Sequence, residues 1–171
     1  MNFDLVFERV IGHEGGYQCD FEDRGNWTGG KVYEGELKGT KFGLAAMTYP
    51  DLDIENLTIE QAKQIYLRDW WQPLMLDRMP KGMPYQLFDA AINHGSGRAA
   101  KFLQRAAGAR DDGQIGPKTI AAVLAMDHND LLMRFIAERL GYFTNIKLWE
   151  TYGKGWVRRM AGNLQFAAQD N

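Results

Sequence analysis

The sequence predicts a mainly helical α+β fold, a helical domain with a small antiparallel β-hairpin region near residues 17–44. Three observations lead there. Apolar residues recur at three- and four-residue steps at the start of the chain and again after Leu57, which is the helical period. Between Glu14 and Leu44 that period disappears, and Gly25, Gly29, Gly30, Gly35, Gly39 and Gly43 divide the chain into short runs, as tight-turned strands require. No repeat, linker or low-complexity stretch interrupts the 171 residues, a length that suits one domain with a shared core.

The elements follow in order. Phe3, Val6, Phe7, Val10 and Ile11 form one stripe of a first helix, and the next slot on that stripe is Glu14, with Gly15-Gly16 stopping the helix. Lys31-Val32-Tyr33 and Thr40-Lys41-Phe42 read as short strands. Thr58 and Gln61 make a capping box for a helix carrying Ile59, Ala62, Ile65 and Tyr66, which ends near Trp70-Trp71-Gln72-Pro73. Pro84 opens another through Leu87, Phe88, Ala91 and Ile92, broken at Gly95-Ser96-Gly97, and a further helix runs from Arg98 to Ala107. Turn residues at 111–116 precede Pro117, the expected first residue of the next helix. Asn129 is expected to cap a longer helix through Leu132, Phe135, Ile136, Leu140 and Phe143. The last, Tyr152 to Ala168, is expected to bury Trp156, Met160 and Leu164.

Twenty basic and 22 acidic residues leave a formal net charge of -2, so no overall field draws the chain to nucleic acid. The charge is uneven. The final helix carries Lys154, Arg158 and Arg159, read as the wet basic face of a packed helix in preference to a surface for an anionic envelope. The start lacks a basic, apolar leader, and no apolar run approaches the roughly 20 residues of a membrane span, so synthesis in the cytoplasm is expected. Cys19 is the single cysteine, which excludes an internal disulfide. His13, His94 and His128 show no metal-ligand spacing, so neither metal nor cofactor is expected.

Glu14 is the residue that asks for chemistry. A carboxylate on a buried stripe at a helix C-terminus is desolvated and meets the negative end of the helix dipole. Both effects favour the neutral acid, the form a general acid needs near neutral pH. The competing reading is an exposed helix-end acid. Cleavage of a glycosidic bond also needs a second carboxylate, and Asp20, Glu22 and Asp23 follow on a segment that a hairpin would fold back. Tyr17 and Trp27 lie near these acids, and Asn93 precedes a helix break; the three are candidate substrate contacts, with packing or capping as their alternatives.

Several blocks together resemble glycoside hydrolase family 108, the lysozyme-like muramidases of phages and prophages. They are Glu14-Gly15-Gly16-Tyr17, Asp23-Arg24-Gly25-Asn26-Trp27-Thr28-Gly29-Gly30 and Gly39-Thr40-Lys41-Phe42-Gly43-Leu44, then Phe88 to Gly95, Phe102-Leu103-Gln104 and Asp112 to Thr119. The resemblance implies one lysozyme-like domain over 1–171, with a catalytic half at 1–80 and a helical half at 81–171 similar to a peptidoglycan-binding region. It implies an endolysin that cuts peptidoglycan between N-acetylmuramic acid and N-acetylglucosamine and lyses the bacterial cell. In that pattern Glu14 matches the catalytic glutamate, Asp23 the aspartate a short loop later, and Thr40, in preference to Thr28, the threonine on the neighbouring strand. A threonine beside the aspartate suits a positioned water and hence inversion. It also implies a monomer acting on the wall, reached through a holin-type membrane permeabiliser. Two other readings stand beside this one: a cysteine peptidase on the stem peptides with Cys19 and His94 as a dyad, and a non-catalytic wall-binding module.

Overall fold

The computed structural model describes residues 1–11, 16–147 and 149–170. Among these, the chain forms seven α-helices and one two-stranded antiparallel sheet, in accord with the predicted mainly helical α+β class. It divides into two compact units, Phe3–Arg68, and Met1–Asn2 with Asp69–Asn171.

The N-terminal unit holds α1 (Phe3–Val10), β1 (Thr40–Lys41), β2 (Leu44–Ala45) and α2 (Ile59–Tyr66). The amphipathic stripe of α1 buries Val6 and Phe7, and Phe7 meets Tyr66 of α2 edge to face at 5.5 Å. The capping box of α2 forms as predicted, with Gln61 N–H on the Thr58 hydroxyl at 3.2 Å and Thr58 N–H on the Gln61 side chain at 2.8 Å. β1 and β2 pair in the register Thr40 with Ala45 and Lys41 with Leu44. Their two-residue loop puts Phe42 at φ 50 and Gly43 at φ 75, the backbone of a twisted hairpin turn. Tyr66 pins that turn by donating to the Phe42 carbonyl at 2.9 Å. Sheet structure is sparser than predicted. Lys31-Val32-Tyr33 is a turn with Tyr33 at φ 66, because the glycines around it bend the chain before a ladder can form.

The C-terminal unit contains α3 (Met83–His94), α4 (Ser96–Ala106), α5 (Pro117–Ala125), α6 (His128–Phe143) and α7 (Trp149–Gln169). Residues 83–91 of α3 are all buried, as in a helix surrounded by others, and α4, α6 and α7 pack against it. Gly95 at φ 82 ends α3 and starts α4 at Ser96, two residues before the expected Arg98. The turn at 111–116 folds over a buried glutamine. Gln104 donates to the Asp112 carboxylate at 2.8 Å and the Gln114 carbonyl at 2.9 Å, and accepts from Gly113 N–H at 2.9 Å. The cap of α6 is Asp127, not Asn129. The Asp127 carboxylate accepts from the Asn129 and Asp130 amides at 2.9 and 3.2 Å, a better match to orphan N–H groups than a neutral amide already inside the first turn. In α7, Met160 is buried and Trp156 half-buried against Phe143, but Leu164 is 48 % exposed. Asn163 takes the inward slot instead, because α7 faces a polar cluster there.

That cluster is centred on Asp89, buried in α3. Its carboxylate accepts from Arg139 of α6 at 2.8 Å, from Arg159 of α7 at 2.5 and 3.0 Å, and from Asn163 of α7 at 2.8 Å. Lys154, Arg158 and Arg159 are all exposed on α7, as the wet basic face predicts, and Arg159 in addition reaches the buried carboxylate with its guanidinium. Burial pushes the Asp89 carboxyl up, but the Arg139 guanidinium, with Arg159 and Asn163, outweighs it and holds the group below its usual 3.8. A depressed folded-state pKa contributes stability that is present above the ordinary carboxylate range and lost as pH falls through the folded value. Arg139 is completely buried and depends on this one carboxylate. Asp89→Asn keeps the shape and removes the charge, so it should lower stability by roughly 3–5 kcal/mol in urea denaturation; a loss under about 1 kcal/mol would contradict this role.

Candidate functional site

The predicted acid loop and β1 are joined by one buried side chain, Asn26. The loop is built from carboxylates that cap their own backbone. Asp20 accepts from Glu22 N–H at 2.9 Å, and Asp23 opens the helical turn Arg24–Asn26 with its Oδ1 on Gly25 N–H at 2.8 Å. Asn26 then donates from Nδ2 to the Asp20 carbonyl at 3.0 Å and accepts at Oδ1 from the Thr40 hydroxyl at 2.7 Å. Its carbonyl takes the Lys38 and Gly39 amides at 2.9 and 3.1 Å. Asp23 and Thr40 are thereby carried on one hydrogen-bonded frame.

Thr40 is also tied to the chain that leaves Glu14. Gln18 and Thr40 exchange two backbone hydrogen bonds, at 2.9 and 2.8 Å. Glu14 itself, together with His13, lies outside the described residues. Thr28 is engaged elsewhere: its hydroxyl oxygen accepts from Glu36 N–H at 2.8 Å, and its own N–H reaches the Glu36 carbonyl at 3.0 Å. The Thr28 hydroxyl belongs to the hairpin that links residues 28 and 36.

Trp27 is half-buried and braces the acid loop, with its indole N–H on the Phe21 carbonyl at 2.9 Å and its ring edge-on to Tyr33 at 5.4 Å. Tyr33, an exposed aromatic side chain at this edge, was not among the sequence-derived contacts. Tyr17 lies over Gly39, where a Cβ would come within 2.7 Å of its ring and where φ is +79, so only glycine fits. A hydrogen bond to Cys19 pushes the Tyr17 phenol up to about 12. Tyr17 lines a cavity of about 270 Å³ with Leu37, Lys38, Asp53 and Glu55. A wider groove of about 620 Å³ is walled by Tyr49, Pro50, Leu52, Gln64, Ile65 and Arg68. Asp51 is its one carboxylate, so its size does not make it the place for paired acid–base chemistry.

In the C-terminal unit, Asn93 donates to the Asp89 carbonyl of its own helix at 2.6 Å, the backbone-capping arrangement. His94 is packed edge-on among Phe102 and Tyr142 and tilted against Phe143. Burial, aided by Arg139, lowers the imidazole from 6.5 to about 4. Among the described residues, no group of three or more His, Cys, Asp or Glu is arranged to hold a metal ion, and no helix is long and apolar enough to cross a membrane.

Comparison with known proteins adds the class. Residues 7–95 match a family described as Glycosyl hydrolase 108, and residues 98–161 match one described as Predicted Peptidoglycan domain. Fold and match together define a glycoside hydrolase. The chain belongs to the glycosyl hydrolase 108 family. The structure of Brucella abortus SagA is similar over 98 % of this chain and 94 % of that one, with a TM-score of 0.80 and 28 % identity. No curated protein matches the chain. The two matched segments support a peptidoglycan hydrolase.

In the sequence Asn26 stands only within a motif block, and nothing in turn chemistry separates it from the other loop amides. Replacing it by Ala strands the Thr40 hydroxyl and the Asp20 carbonyl. Asn26→Ala should cost about 1–3 kcal/mol and speed hydrogen exchange at the Gln18 and Thr40 amides; unchanged exchange there would remove Asn26 from this role.

His94 gives a pH signature. Its folded pKa lies below its unfolded one, so the unfolded chain binds the extra proton, and stability is complete above pH 6.5 and lost as pH falls towards about 4. In His94→Gln the fall in melting temperature across that window should flatten; a slope identical to wild type would contradict the assignment.

Proposed function

We propose that this chain is a muramidase of the endolysin type, cutting the peptidoglycan glycan between N-acetylmuramic acid and N-acetylglucosamine with Glu14, Asp23 and Thr40 as its reacting groups. The observation that carries the reading is the Asn26 frame, which couples the Asp23 turn to the Thr40 hydroxyl, and Thr40 in turn to Gln18, four residues beyond Glu14.

The chemistry follows from what each group has left to offer. Glu14 donates its proton to the glycosidic oxygen as the bond to the anomeric carbon breaks, and the departing sugar leaves as an alcohol. The Asp23 Oδ1 is held by the Gly25 amide, so Oδ2 is available to take the proton of an attacking water. The Thr40 hydrogen is committed to Asn26, so its oxygen lone pairs remain as acceptors for that same water. A water held by two acceptors and attacking opposite the leaving group gives inversion. The corresponding oxygen of Thr28 is engaged by the Glu36 amide, which supports Thr40 as the participant.

Tyr17, Trp27 and Asn93 are the proposed substrate contacts. Tyr17 has an exposed ring beside the frame, Trp27 supports the loop and presents an edge with Tyr33, and Asn93 retains its amide oxygen as an acceptor after donating to Asp89. Host-cell lysis, a holin-type partner and action as a monomer belong to the same proposal and rest on the resemblance described above.

Mass spectrometry of digested sacculi tests it. New reducing ends at muramic acid are expected, and Glu14→Gln should slow their release by roughly two to four orders of magnitude. Release of free stem peptides, or a Glu14→Gln rate equal to wild type, would reject the muramidase.

A further inference from the structure

One cavity of the C-terminal unit holds none of the three proposed reacting groups and shares only Asn93 with the proposed substrate contacts. It is small, about 170 Å³, and lies where the end of α3 meets α4, α6 and α7, with Asn93, His94, Arg98, Tyr142, Trp156 and Arg159 on its walls. The charged groups acting on His94 are Arg139, Asp89, Arg98 and Arg159. Three guanidiniums against one carboxylate leave a local charge of +2. Asp89 is already shared by Arg139 and Arg159. Arg98 is different: among the described residues it pairs with no carboxylate, and its guanidinium carbon sits 4.7 Å from the centroid of the Tyr142 ring. It is an exposed cation fixed in place by an aromatic face rather than neutralised.

His94 supplies the second signal. Its Nε2 is buried and has no hydrogen-bond partner, which is uncommon for a buried polar atom and marks either strain or a missing ligand. With its pKa lowered to about 4 the ring is neutral at pH 7 and lines the cavity without adding charge. Size narrows the ligand. At roughly 30 Å³ per water, 170 Å³ admits a carboxyl group on a short stem and falls below the roughly 300 Å³ at which pockets take larger ligands.

We propose that this cavity binds a free carboxylate of the peptidoglycan stem peptide. Arg98 is the anchoring cation, the neutral His94 ring lines the cavity, and the Tyr142 and Trp156 rings pack on the aliphatic part next to the carboxyl group. The carboxylate chemistry comes from these side chains, while its source in a stem peptide rests on the peptidoglycan reading above. The chain thus reads the peptide at one unit while the catalytic groups of the other act on glycan.

The test is an NMR titration of the full chain with the tetrapeptide L-alanyl-γ-D-glutamyl-L-lysyl-D-alanine. Wild type should bind it saturably in the roughly millimolar range, with shifts at the His94 ring and a rise in its titration midpoint from about 4. Arg98→Gln should bind at least about tenfold more weakly, with part of the loss restored in Arg98→Lys, and the peptide with its carboxyl groups amidated should also bind about tenfold more weakly. Arg98 is exposed, and an unchanged melting temperature in the variants shows that folding is intact. No saturable binding by wild type up to roughly 10 mM, equal binding of the amidated peptide, or equal binding by Arg98→Gln would each overturn the proposal. The peptide has no glycosidic bond, so a chain that binds it yet frees no muramic reducing ends fails as a muramidase without failing here.

Discussion

A carboxylate buried in the middle of an apolar helix organises the C-terminal unit. Asp89 would be untenable alone, since removing an ion from water costs several kcal/mol even after relaxation. It is accommodated because two guanidiniums and an amide from α6 and α7 converge on its two oxygens. The same bonds fix how those two helices are set around α3. They also decide where positive charge is left over. Arg139 and Arg159 share one carboxylate, so the field at the end of α3 stays positive, which helps keep His94 neutral. A hydrophobic replacement could match the stability of such a cluster, but not its directional demand on the helices.

The N-terminal unit meets a related problem with a neutral group. Its acid loop, the strand carrying Thr40 and the segment after Glu14 have too little ladder between them to hold a fixed geometry, since the paired strands are two residues long. Buried Asn26 supplies the missing constraint, with both ends of its amide and its carbonyl engaged. An amide suits the position better than a carboxylate would. It can donate to the Asp20 carbonyl and accept from Thr40 at once, and it adds no charge beside Asp23.

Much of this was legible in the sequence, and the misses have physical causes. The helical periods of α1, α2 and α3 and the capping box of α2 depend on neighbours within a turn or two, so local pattern suffices for them. The glycine-rich segment misled because glycine permits both strands and turns; Tyr33 shows that the turns prevailed. At α6, two side chains were available as caps, and choosing Asp127 over Asn129 required knowing where the first N–H groups point. Asp89 was not singled out from the sequence, because its partners lie 50 and 70 residues away, beyond any periodic signal. Of the candidate site, the family blocks marked Asp23 and Thr40 by position, whereas Asn26, which joins them, became apparent only from the hydrogen bonds.

The proposed muramidase activity rests on a division of labour, in which Glu14 would give a proton while Asp23, carried with Thr40 on the Asn26 frame, would take one from water. The dependence of kcat/KM on pH for soluble glycan fragments examines that division most directly, because the acid and the base each contribute one limb to the profile. A bell-shaped wild-type curve is predicted, with the alkaline limb absent in Glu14→Gln and the acidic limb absent in Asp23→Asn. Retention of the alkaline limb by Glu14→Gln would mean that a different group donates the proton, and the assignment of Glu14 would be wrong.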